Sequence, residues 1–113
     1  MHSPLTVKDH NKTVTVKLGE TVKILLNGNP TTGYTWTRAG FLGMESLSDE
    51  HLEVTSKYTQ SPTPSGMVGV GGSFMVTVTT KTKGHNTLEL VYIRLFEGIK
   101  LDSQKFTLHF IVE

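Results

Sequence analysis

Apolar and polar residues alternate at period two along most of the chain, and the alternation breaks wherever Gly, Pro or Asn intervenes. That is the pattern of half-buried strands separated by turns. From Thr13 to Leu18 the inward set is Val14, Val16 and Leu18; after Gly19-Glu20 it resumes from Val22 to Leu26 as Val22, Ile24 and Leu26. These two runs read as a hairpin. Tyr34 to Arg38 is a short run centred on Trp36, and Leu52 to Tyr58 carries Leu52, Val54 and Tyr58. Ser73 to Lys81 alternates Phe74, Val76 and Val78, whereas Thr87 to Arg94 is nearly continuous in β-formers, as a strand covered on both faces would be. Gln104 to Val112 alternates Phe106, Leu108, Phe110 and Val112 and is the clearest strand of all.

No stretch sustains an i, i+3, i+4 pattern for three turns, so helix is minor. Between Phe41 and Glu50, Ser48-Asp49-Glu50 is suited to capping a single helical turn. Seven strand-like runs in 113 residues predict an all-β fold, an immunoglobulin-like β-sandwich of about seven antiparallel strands. The length is that of one domain spanning 1–113. There is no internal repeat and no low-complexity tract.

Reversal at each connection places alternate loops at the same end of such a sandwich. The segments Asn27 to Gly33, Thr59 to Gly72 and Leu95 to Ser103 then share one end, and Gly19-Glu20, Ala39 to His51 and Thr82 to His85 share the other. The first three are the chemically unusual ones. In Asn29-Pro30-Thr31-Thr32-Gly33-Tyr34, each turn-forming dipeptide alone describes an ordinary loop. Thr31 and Thr32, held at an apex between a proline and a glycine, point further, to side chains presented with little ordering cost on binding. The second segment sets Met67 and Val68 before Gly69-Val70-Gly71-Gly72, a run with so little bulk that its backbone can lie against another protein. It has neither G-x-G-x-x-G nor a glycine followed by Lys-Ser/Thr, so it is no phosphate loop. The third segment opens with Arg94-Leu95-Phe96, the residue types that anchor interfaces.

Charge and composition remove other classes. Lys+Arg 11 against Asp+Glu 10 gives a net charge of +1 with the basic residues scattered, which argues against a nucleic-acid partner. No apolar run approaches the roughly 20 residues of a membrane-spanning helix. Cysteine is absent, which excludes disulfides, thiolate metal sites and a cysteine nucleophile. The five histidines, His2, His10, His51, His85 and His109, show no metal-ligand spacing, and no G-x-S-x-G elbow occurs. Glu45, Asp49, Glu50 and Glu53 read as a solvated acidic patch. An enzyme is therefore not expected, nor any metal or cofactor. Met1-His2-Ser3-Pro4-Leu5 has no basic region leading into an apolar one, so an intracellular place is expected, with a vesicle or release to the outside as alternatives. Asn11-Lys12-Thr13 then reads as a chance sequon.

The three segments together resemble the chagasin-type inhibitors of papain-like cysteine peptidases. Asn29-Pro30-Thr31-Thr32-Gly33-Tyr34 is similar to that family's N-P-T-T-G-[YF] motif, Gly69-Val70-Gly71-Gly72 to its G-x-G-G motif and Arg94-Leu95-Phe96 to its R-x-[WF] motif, in the same order across essentially the whole chain. Leu95 departs from the pattern, since proline is usual there. The resemblance implies an immunoglobulin-like fold and a reversible, tight-binding inhibitor, acting as a monomer on cathepsin L-like or B-like peptidases. It implies that Thr31 and Thr32 lie over the catalytic cysteine and histidine, that Gly69 to Gly72 run beside the unprimed subsites with Met67 and Val68 nearby, and that Phe96, with Arg94, packs on the primed side. The rival reading is an immunoglobulin-like recognition or adhesion module that uses the same loops on a non-enzyme partner.

Overall fold

In the computed structural model, which describes residues 4–28, 33–42, 44, 46–60 and 72–113, seven strands form two sheets packed face to face. The strands are β1 (Lys12–Val16), β2 (Thr21–Gly28), β3 (Tyr34–Arg38), β4 (Leu52–Gln60), β5 (Gly72–Thr80), β6 (Gly84–Arg94) and β7 (Gln104–Val112). One sheet has the order β1-β7-β6-β3 and the other β2-β5-β4. This is the immunoglobulin-like sandwich expected from the alternation. A single 3-10 turn, Val7–Asp9, precedes β1, its ends tied by Thr6 and Asp9 in a reciprocal capping box.

The hairpin expected from the first two runs does not form. β1 pairs in parallel with β7, from Lys12 beside Leu108 to Val16 beside Val112, while β2 pairs with β5 in the opposite sheet. Six reversals along the chain bring β7 back to the direction of β1, which makes this the parallel pair among otherwise antiparallel neighbours. Residues 17–20 thus carry the chain across the sandwich. They are held by Thr80, a buried hydroxyl that donates to the Lys17 carbonyl at 3.2 Å and accepts from the Gly19 N–H at 3.1 Å. Gly19 takes φ +87, and Leu18, expected inward, falls in this turn and is exposed.

The core is built from the alternate residues the sequence marked. Phe106, Leu108, Phe110 and Val112 of β7 and Leu88 and Leu90 of β6 face Ile24, Leu26, Val54, Phe74, Val76 and Val78. Burying such side chains contributes about 1.5–3 kcal/mol each. On β6 the expected cover on both faces holds only from Leu90 to Ile93, since Glu89 is exposed and Val91 and Ile93 are buried.

The end of the sandwich opposite the three segments holds a second departure. Segment 41–50 contains no helical turn among its described residues. Asp49 instead accepts, through Oδ1, the N–H groups of His51 and Leu52, both at 2.8 Å, and so shapes the start of β4. A short acceptor satisfying nearby N–H groups competes with helix. Through Oδ2 it accepts from Arg38 Nη2 at 2.9 Å, while Arg38 Nη1 donates to the Leu47 carbonyl and the guanidinium lies 4.5 Å from the Phe41 ring centroid. Arg38 is buried, so Asp49 is its counter-ion and not part of a solvated patch; Glu50 and Glu53 remain exposed, and Glu45 lies outside the described residues.

Candidate functional site

Register alone brings the relevant strand ends together. In one sheet Gly28, at the end of β2, and Gln60, at the end of β4, both pair with Gly72, the first residue of β5. In the other, Tyr34 at the start of β3 pairs with Arg94 at the end of β6, and Tyr92 pairs with Gln104 at the start of β7. Trp36 joins the two sheets at this level by donating its indole N–H to the Asn27 carbonyl at 3.0 Å. The connections 29–32, 61–71 and 95–103 therefore leave from one end, as the reversal argument expected.

Beneath them lies an aromatic layer. Tyr34 stacks on Tyr92 with ring centroids 5.2 Å apart, Tyr92 meets Trp36 at 5.2 Å, and Tyr58 meets Phe74 at 5.1 Å. Gly28 permits this closeness, because a Cβ there would sit 2.5 Å from Phe74 Cε1 and 3.2 Å from Tyr92 Cε1. Gly33 has a different reason to be glycine: its φ is +88, a left-handed conformation that side-chain-bearing residues avoid. Its open face lies 3.7 Å from the Arg94 side-chain stem.

Arg94 organises the third connection. Its guanidinium lies 4.8 Å from the Tyr34 ring centroid and 3.5 Å from Glu97 Oε1. Its carbonyl accepts from the N–H groups of Glu97, at 3.0 Å, and Gly98, at 3.1 Å. Gly98, at φ +72, completes a tight turn with Leu95 and Phe96 at its apex. Phe96 is 84% exposed. Glu97 Oε2 also accepts from Lys100 Nζ at 3.1 Å, and this hydrogen bond, more than the pairing with Arg94, holds the Glu97 carboxyl below its usual pKa.

Leu95 is the second residue of that turn, where proline's fixed φ fits, and its N–H donates to no described backbone group. Leu95→Pro should therefore cost no hydrogen bond to a described backbone group and stabilise the protein by about 0.4–1 kcal/mol through the unfolded chain. A rise in melting temperature of about 2–5 °C would be the readout; a fall would show that Leu95 cannot adopt proline's backbone angle.

Of the residues singled out by sequence, Gly33, Tyr34, Gly72, Arg94, Leu95 and Phe96 are brought to this end. Gly72 is buried between two neighbouring strands and serves as the fixed end of its segment, and Tyr34 is half-buried as a support for Arg94. Asn29, Pro30, Thr31 and Thr32, and Met67, Val68, Gly69, Val70 and Gly71, lie outside the described residues. Glu97 and Lys100 were not singled out, although Glu97 stands three residues from each of two cations. Among the described residues no three His, Cys, Asp or Glu side chains gather as a metal site.

Residues 15–110 match the family described as Chagasin family peptidase inhibitor I42. The chain is 39% identical to chagasin of Trypanosoma cruzi over 103 residues, 90% of this chain and 91% of that protein. Among solved structures it resembles the Leishmania mexicana ICP, with TM-score 0.76 and 55% identity over 98% of this chain and 96% of that one. It also resembles the cysteine protease inhibitor EhICP2 of Entamoeba histolytica, with TM-score 0.77 and 27% identity over 96% of this chain and 93% of that one.

Proposed function

The chain belongs to the chagasin family of peptidase inhibitors, an inhibitor and not an enzyme, and from this premise we propose that it blocks papain-like cysteine peptidases of the cathepsin L or B type, reversibly and with three loops. The observation that carries the reading is the convergence of the strand ends at Gly28, Gly72, Tyr34, Arg94 and Gln104, with Phe96 raised beside them on a turn closed by backbone hydrogen bonds.

The target chemistry explains the division of labour. A papain-like peptidase uses a thiolate activated by a histidine in an open groove that reads extended peptide. Thr31 and Thr32 are compact and carry hydroxyls, and on a turn between Pro30 and Gly33 they would cover the nucleophile without offering it a scissile carbonyl in line. Gly69-Val70-Gly71 has the low bulk needed to pair backbone to backbone along the unprimed subsites, with Met67 and Val68 as apolar contacts. Phe96 would pack on the primed side, braced by the Arg94 turn. Because the supporting strands are ordered before docking, association costs little conformational entropy, and an interface of about 1,600 Å² can then be tight.

Titration against papain and trypsin tests the proposal. Papain activity should fall to a stoichiometric end point, return on dilution, and leave the inhibitor uncleaved, while trypsin is unaffected. Full papain activity at micromolar protein would refute the reading.

A further inference from the structure

In the connection between β6 and β7 the apolar side chains stand apart from a cavity that polar ones line. Glu97, Lys100, Asp102 and Ser103 line a cavity of about 290 Å³ together with Tyr92 and Ile93 of the sandwich. Leu95, Phe96, Ile99 and Leu101 take no part in that lining and are exposed, Leu101 completely. They make up four of the eight large exposed hydrophobic residues among the described ones, so the exposed apolar residues are concentrated here and not scattered.

The connection is also stiff at both ends. The first turn is closed on the Arg94 carbonyl, with Phe96 at its apex. The second is closed by Lys100 and Ser103, the Ser103 N–H donating to the Lys100 carbonyl at 3.1 Å and the Lys100 N–H to Ser103 Oγ at 2.8 Å. Leu101 is at the apex of that second turn. Glu97, paired with both Arg94 and Lys100, ties the two turns to each other.

We infer that Leu101, flanked by Ile99, is a second apolar anchor on the same peptidase that Phe96 engages, outside the substrate groove. The inference rests on the proposed function. Leu101 is five positions beyond Phe96, a span of at most about 18 Å even if extended. A standard interface covers roughly 800 Å² per partner, about 30 Å across. Leu101 therefore lies inside or at the border of the area that a peptidase seated on Phe96 covers, and an apolar patch of the peptidase that meets this exposed side chain would add to binding.

Leu101→Ser tests this, since the exposed side chain can be removed without disturbing the core. The variant should show an inhibition constant for papain about tenfold higher than the parent, mostly through faster dissociation, with an unchanged melting temperature. Leu18→Ser, at the far end of the sandwich, should change neither. If the parent inhibits papain and Leu101→Ser inhibits it equally well, the second anchor is overturned and the proposed function stands. If the parent itself leaves papain active, the proposed function has failed, and the anchor falls with it. Sedimentation of the free protein separates the remaining occupant: a parent that self-associates and a Leu101→Ser variant that does not, with equal inhibition, would assign the patch to a second copy and overturn the inference.

Discussion

Phe96→Ala should raise the inhibition constant for papain about 100-fold, equivalent to about 2.7 kcal/mol of binding free energy, and leave the melting temperature where it is. Two observations separate the effects on binding and stability. The ring is 84% exposed, so its removal leaves no cavity in the core. The turn that presents it is closed by the Arg94 carbonyl with the Glu97 and Gly98 N–H groups and braced by Arg94 over Tyr34, none of which involves the Phe96 side chain. The loss therefore measures the aromatic contact itself. Phe96→Trp should restore tight inhibition, since the turn accepts either ring and a tryptophan offers at least as much area to an aromatic partner. A change below threefold in Phe96→Ala would show that the third loop does not reach the peptidase.

This loop also marks how far the sequence could be read. The count of reversals needs only the number of strands, so the shared end of the three connections was legible, and so was the alternation of Phe106, Leu108, Phe110 and Val112 into the core. Which sheet each strand joins was not. Val14 and Val16 present the same period-two pattern whether β1 lies beside β2 or across the sandwich from it, and the outcome is decided by Thr80 and by the pairing with β7, contacts more than sixty residues away in sequence. Leu18 was misplaced for the same reason, because the chain turns at Gly19 to change sheets. At the site, motif spacing identified the residues that would face a partner. It passed over those that hold them, Trp36 on Asn27 and Glu97 between Arg94 and Lys100, because bracing depends on tertiary distances and on no residue type in particular.

Asp49 shows the opposite failure, a residue assigned to solvent that carries stability. Asp49→Ala should destabilise the protein by about 2–3 kcal/mol, since it strips the counter-ion from a buried guanidinium and leaves two N–H groups at the start of β4 without their acceptor. The value sits below that for a fully buried pair because the Asp49 side chain is 32% exposed while that of Arg38 is 8% exposed. The pH dependence reports the charged carboxylate, which serves both the cap and the ion pair, and Asp49→Asn separates the two. Partial burial by itself would raise the Asp49 pKa, but the N–H groups of Leu52 and His51, together with Arg38, outweigh it and hold the carboxyl below its usual value. A carboxyl depressed in the folded state contributes stability that is complete above the unfolded pKa of about 3.9 and disappears as pH falls through the folded value. The gap between parent and Asp49→Ala should accordingly be full at pH 6–7 and shrink below about pH 4, as measured by urea denaturation across that range. Asp49→Asn, which keeps an acceptor for the β4 N–H groups but no charge for Arg38, should fall between the two at neutral pH and show a correspondingly flatter acid limb. A gap that stays constant down to pH 2 would mean that the hydrogen-bonding cap, and not the charge on Asp49, stabilises this end of the sandwich.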